Sequence, residues 1–95
     1  MNFEWDERKR ELNIRKHGLD FADALDMFAS PMLSALDTRY DYGEDRWLGI
    51  GLLQGRIAVI VYTQPDAETV RVISLRKAVS HERRRFAEVL KNRLG

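Results

Sequence analysis

The sequence predicts an α+β domain, and three observations carry that prediction. Phe21, Ala24, Leu25 and Phe28 recur at i, i+3, i+4 and i+7, and Phe86, Val89, Leu90 and Leu94 repeat the helical spacing near the end of the chain. Between them the period falls to two: Leu48, Ile50 and Leu52 alternate on one side of Gln54-Gly55, and Ile57, Val59 and Val61 on the other. The two patterns are segregated along the chain rather than alternating, which separates α+β from α/β folds. Ninety-five residues suffice for one domain, spanning 1–95.

Taken in order, residues 3–5 are a candidate short edge strand. Asp6 is a suitable N-cap for a helix over 7–17, and Gly18 is the residue expected just past its end. The apolar side of that helix is thin, with only Leu12 and Ile14, so Arg and Lys stems must cover the rest. Asp20 reads as the N-cap of a second helix, with Asp23 at its third position, and Ser30-Pro31 ends it. Met32 to Thr38 is a candidate strand, followed by Trp47–Leu53. Gln54-Gly55 is a two-residue turn into Arg56–Thr63, in a register that sets Leu52 opposite Ile57, Ile50 opposite Val59 and Leu48 opposite Val61. Gly49 and Gly51 leave the other face of their strand low, the mark of a bulge or a close approach. Pro65 to Glu68 is a polar turn and Val70–Arg76 the next strand. Strict alternation there puts Val72, Ser74 and Arg76 on one face, and Arg71, Ile73 and Leu75 on the other. Ser80 N-caps a final helix to about Leu94. The expected architecture is two N-terminal helices, an antiparallel sheet of three to four strands (plus the candidate N-terminal edge strand) and a C-terminal helix.

Composition narrows the function classes. With no cysteine there is no disulfide framework, thiolate nucleophile or cysteine-ligated metal, which fits a cytoplasmic location. The longest apolar run, Ile57 to Tyr62, is far short of a membrane span, and a start charged within four residues is no secretory signal. The net charge of +1 hides an asymmetry. Thr69 to Gly95 carries eight Lys/Arg against Glu82 and Glu88, a net +6, whereas Asp20 to Asp45 carries seven acids against Arg39, a net −6. Of the sixteen basic residues twelve are arginine, whose planar fork suits phosphate. A basic end of this kind meets a phosphate backbone or an acidic partner.

Three places hold candidate chemistry. His17, after Lys16 at the end of the first helix, serves either the helix dipole as a cation or proton transfer near neutral pH. Glu44 and Arg46, two residues apart before a strand, form either a base with a charge clamp or a plain salt bridge. Ser74 and Arg76 end a strand beside a helix start, which resembles an anion-binding corner. Trp5, Trp47, Tyr40, Tyr42 and Tyr62 serve either the core or base stacking. The two histidines, His17 and His81, are isolated and lack partners at metal-ligand spacing. Ser74 has no His/Asp pattern of a hydrolase, and no glycine-rich nucleotide loop is present.

Phe3-Glu4-Trp5-Asp6, Lys9, Asn13, Lys16-His17-Gly18, Phe21, Ala24, Phe28, Pro31, Glu44-x-Arg46, Gly51 to Gly55, Arg71 to Ala78 and Glu82-Arg83-Arg84 follow one another in an order that resembles the BrnT toxin family over nearly the whole chain. The resemblance implies a RelE-like fold and a cytoplasmic endoribonuclease toxin that inhibits translation without a metal or other cofactor. It implies a BrnA-like ribbon-helix-helix antitoxin as partner, and contact with operator DNA through that antitoxin. In such an enzyme the RNA 2′-OH attacks its own 3′-phosphate. The reaction needs a base for the 2′-OH and an acid for the leaving 5′-oxygen; Glu44 and His17 are the candidate proton-transfer groups, and Arg46 and Arg76 stabilise phosphate. Lys16, Arg71, Ser74, Lys77 and Arg84 become candidate RNA contacts. Phe86 departs from the tyrosine many relatives carry, which keeps a second expectation open: a weak or inactive binding module working only within an antitoxin–DNA repressor complex.

Overall fold

The computed structural model describes residues 1–94, the side chain of Leu94 excepted, so the expected place of Leu94 on the last apolar stripe lies outside the described residues. The strands are β1 (Asn2–Glu4), β2 (Met32–Leu36), β3 (Trp47–Leu53), β4 (Arg56–Asp66) and β5 (Thr69–Lys77). The helices are α1 (Glu7–His17), α2 (Leu25–Phe28) and α3 (Ser80–Leu94), and a 3-10 turn at Phe21–Ala24 leads into α2. All five strands join one sheet in the order β1-β5-β4-β3-β2. The α+β class holds and the candidate edge strand is present as β1, but the sheet is mixed rather than antiparallel: β1 runs parallel to β5, while the other pairs are antiparallel.

Local chemistry explains most boundaries. The Asp6 carboxylate accepts from the Arg8 and Lys9 amides, and Gly18 closes α1 at a φ of 71°, donating its N–H to the Ile14 carbonyl. The expected second helix is instead a 3-10 turn followed by a single α-turn. Its buried residues are Phe21, Ala24 and Met27, spaced by three, and three residues per turn is the period of a 3-10 helix. Leu25, expected inside, is left exposed. At the other end of the chain Ser80 is the first helical residue rather than the cap. Val79 takes the cap position: its carbonyl accepts from the Arg83 amide, and its N–H donates to Glu82 Oε1.

The β3–β4 hairpin matches the sequence register pair for pair, including Leu52–Ile57, Ile50–Val59 and Leu48–Val61. Gln54 and Gly55 have φ of 50° and 79°, the two positive values of a primed turn. The low face at Gly49 is a close approach to a neighbouring strand. A Cβ there would lie 2.8 Å from Met32 Sδ and 3.2 Å from Ile60 Cγ2.

The sheet is covered on both faces. Phe21, Ala24 and Met27 pack with Leu53, Ile60, Val70, Val72 and Leu75 on one side. On the other, Phe86 packs with Ile50, Val59 and Ala78 and is flanked by Leu90, so α3 lies opposite α2. Strict alternation fails in β5. Val61 pairs with Ser74 but Tyr62 with Val72, leaving Ile73 as an extra residue. Val72 thereby joins Leu75 in the core, while Arg71, Ser74 and Arg76 share the opposite face.

One side chain docks α1 on the sheet. The outer edge of β5 is paired with β1 only over Thr69–Arg71. Beyond it, Leu75 N–H donates to Asn13 Oδ1 (3.1 Å), and Asn13 Nδ2 donates to the carbonyls of Leu75 and Leu19 (2.9 Å each). The amide thus stands in for a neighbouring strand on an open edge. Asn13→Ala should destabilise the fold by about 2–3 kcal/mol, because buried backbone groups lose their partners. A urea titration checks this, and an unchanged midpoint would contradict it.

Candidate active site

The Asn13 clamp brings the C-terminal end of α1 to the end of β5. There Lys16 and His17 meet Arg76 and Lys77, and the start of α3 adds Val79, His81 and Glu82, around an open cleft of about 610 Å³. Among the described residues no helix is long and apolar enough to cross a membrane.

Arg76 is held rigidly. Its Nη1 and Nη2 donate to Glu82 Oε1 and Oε2 at 2.8 and 2.9 Å, and Nη1 also lies 3.3 Å from the Lys77 carbonyl. This fork-on-fork pair raises the Arg76 pKa and holds the Glu82 carboxyl down to about 2, with the Val79 amide assisting. The Glu82 side chain is 12% exposed and that of Arg76 35%, so the guanidinium reaches the cleft while its counter-ion is set back.

His17 is in the reverse situation. Burial pushes its imidazole below the ordinary value, and the neighbouring charges of Lys16 and then Arg76 push it further. These surroundings favour the neutral ring over the imidazolium. Ser74 lines an adjoining hollow with Lys9, Leu12, Lys16 and His17.

The other candidates from the sequence lie elsewhere. Arg71, although on the Arg76 face, is engaged by Glu4 at 3.3 Å beside β1. Arg84 is exposed on α3 and does not line the cleft. Glu44 and Arg46 lie on the β2–β3 connection, also off the cleft. Arg46 Nε stands 3.9 Å from Glu44, beyond hydrogen-bond distance, and its guanidinium covers the Tyr42 ring at 4.2 Å. That connection is organised by Asp37, which takes two bonds from the Arg39 side chain and one from the Tyr42 hydroxyl. Trp5 and Trp47 pack against the core, and the Tyr62 hydroxyl bonds Ser34.

Three cleft residues, Val79, His81 and Glu82, were not among the site candidates read from the sequence. Glu82 lies three residues after Val79, a spacing hidden while Ser80 was read as the cap. His81 had only its residue type, since nothing in the chain around it points toward His17. Among the described residues no three His, Cys, Asp or Glu side chains gather as a metal site.

A histidine, a clamped arginine and two lysines share this cleft at the rim of a small mixed-sheet α+β scaffold. The chain belongs to the BrnT family: residues 5–82 match the family described as the ribonuclease toxin, BrnT, of type II toxin–antitoxin systems. The structure is similar to the 1.1 Å crystal structure of the Brucella abortus ribonuclease toxin BrnT. The TM-score is 0.66 at 36% sequence identity, over 84% of this chain and 99% of that one. No curated protein gave a significant match.

Proposed function

We propose that this protein is a cytoplasmic type II toxin, a RelE-like, metal-independent endoribonuclease that inhibits translation. The observation that carries the reading is the cleft that gathers Lys16, His17, Arg76 and Lys77, with Arg76 fixed in turn by Glu82. In the proposed reaction neutral His17 accepts the proton of an RNA 2′-OH. O2′ then attacks the adjacent phosphorus, and Arg76, Lys16 and Lys77 stabilise the charge that builds on the phosphorane oxygens. This assigns the base to His17 rather than Glu44, and the charge stabilisation to Arg76 rather than Arg46, because only the first of each pair lines the cleft. Induced expression tests the reading. Growth should stop and cellular RNA should fragment; normal growth with intact RNA would contradict it.

The proposed partner is a BrnA-like ribbon-helix-helix antitoxin, which carries the complex to operator DNA and represses its own operon. The support is family membership together with the basic C-terminal third, net +6 from Thr69 to Gly95. Acidic residues of the antitoxin should cover this surface, so its association rate should fall as salt rises. Stopped-flow measurement checks this; a salt-independent rate would place the contact on apolar surface.

The alternative, a catalytically weak module acting only in a repressor complex, rests on Phe86. Phe86 is 4% exposed, packs from α3 against the sheet and does not line the cleft. Phe86→Tyr should therefore leave RNA cleavage unchanged. A large gain in rate would favour the weakened-toxin reading.

A further inference from the structure

We propose that His81 is the general acid of the cleavage reaction, protonating the departing 5′-oxygen, with His17 as its partner base. The inference deepens the ribonuclease reading and rests on it. The chain has two histidines, and the fold brings both to one cleft from different elements, His17 from the last turn of α1 and His81 from the first turn of α3. The end of β5 supplies Arg76 and Lys77 to the same cleft, where a phosphodiester would bind.

Transesterification needs two proton transfers, and one residue cannot make both in a single step without a relay. Glu44 does not line the cleft. Lys16 and Lys77 lie on either side of the place for the phosphodiester and serve there as cations. An imidazolium is the better donor there. The surroundings of the two rings also differ in kind. His17 is partly enclosed and faces Lys16 and Arg76, both cationic. His81 is exposed to solvent on the first turn of α3, next to Glu82. The charged and titratable groups sharing the cleft with His81 are Lys16 and His17 of α1, Arg76 and Lys77 of β5, and Glu82 of its own helix.

The step balances. His17 takes the 2′-OH proton as the O2′–P bond forms. The P–O5′ bond breaks, and the proton of His81 goes to O5′. The products are a 2′,3′-cyclic phosphate and a 5′-hydroxyl, with His17 protonated and His81 neutral. Exchange with water restores both.

The test uses two versions of one oligoribonucleotide, the second with sulfur in place of the leaving 5′-oxygen. A thiolate departs without a proton, so an acid is dispensable for it. His81→Ala should cut the oxygen substrate about 10²–10⁴-fold more slowly and the sulfur substrate at the wild-type rate, whereas His17→Ala should be slow on both. Equal rates for His81→Ala and wild type on the oxygen substrate, or equal losses on both substrates, would overturn the assignment and leave the ribonuclease reading standing. A wild type inert toward both substrates would instead overturn the ribonuclease reading itself. A thermal melt of His81→Ala should match the wild type, because the residue is exposed.

Discussion

His17→Ala should lower the rate of RNA cleavage by about 10²–10⁴-fold, the usual contribution of a positioned general base, and relieve growth arrest while the protein stays folded. The pH dependence gives a sharper check. Burial, Lys16 and Arg76 all disfavour the imidazolium, so the pKa in the folded protein lies below its ordinary value of 6.5. The base form then persists below pH 6.5, and the acid limb of kcat/KM should fall below that pH. The same sign applies to stability: as pH drops through the lowered pKa the unfolded chain binds the proton more readily, and the fold weakens. His17→Ala should abolish the acid limb along with most of the rate. An acid limb unchanged in position in the residual activity of His17→Ala would assign the base to another group.

The second large effect belongs to Arg76. Arg76→Ala should slow cleavage by about 10²–10³-fold, the cost of removing one preorganised donor from a developing oxyanion. Arg76→Lys should rescue little, because a single ammonium cannot reproduce the two-pronged bond to Glu82 that orients the group. The alanine variant should also lose about 1–3 kcal/mol of stability, since the carboxylate of Glu82, 12% exposed, is left without its cation. The two readouts separate: Glu82→Gln should keep the positive charge in the cleft yet reduce the rate, through a looser Arg76. Full activity in soluble Arg76→Ala would remove the residue from the site.

Much of this fold was legible because its signals are local. The turn at Gln54-Gly55 and the alternating residues beside it determine the β3–β4 register without reference to the rest of the chain. Asp6 and Gly18 likewise mark both ends of α1. The misreadings come from tertiary context. The parallel pairing of β1 with β5 joins segments more than sixty residues apart and leaves no periodic trace. The extra residue Ile73 breaks a pattern that the sequence continues smoothly, so Val72 was grouped with Ser74 and Arg76 when it packs with Leu75. The 3-10 turn replaced a helix because Phe21, Ala24 and Met27 all needed burial in too short a segment.

The candidate site was legible as a set of residue types, not as an arrangement. His17, Lys16, Arg76 and Lys77 were singled out for charge and titration, and the fold gathers these four. Glu44 and Arg46 looked equivalent from spacing alone, yet their connection is organised around Asp37, Arg39 and Tyr42. His81 was set aside as a histidine without a metal partner. Its relation to His17 depends on Asn13 docking α1 on Leu75, a contact between distant parts of the chain.

The most direct test of the central claim is cleavage of RNA by the purified chain in excess chelator, with the ends of the products identified. A metal-independent attack by the 2′-OH predicts undiminished cutting, with 2′,3′-cyclic phosphate and 5′-hydroxyl ends. Activity abolished by chelator and restored by magnesium or zinc, with 5′-phosphate ends, would contradict it.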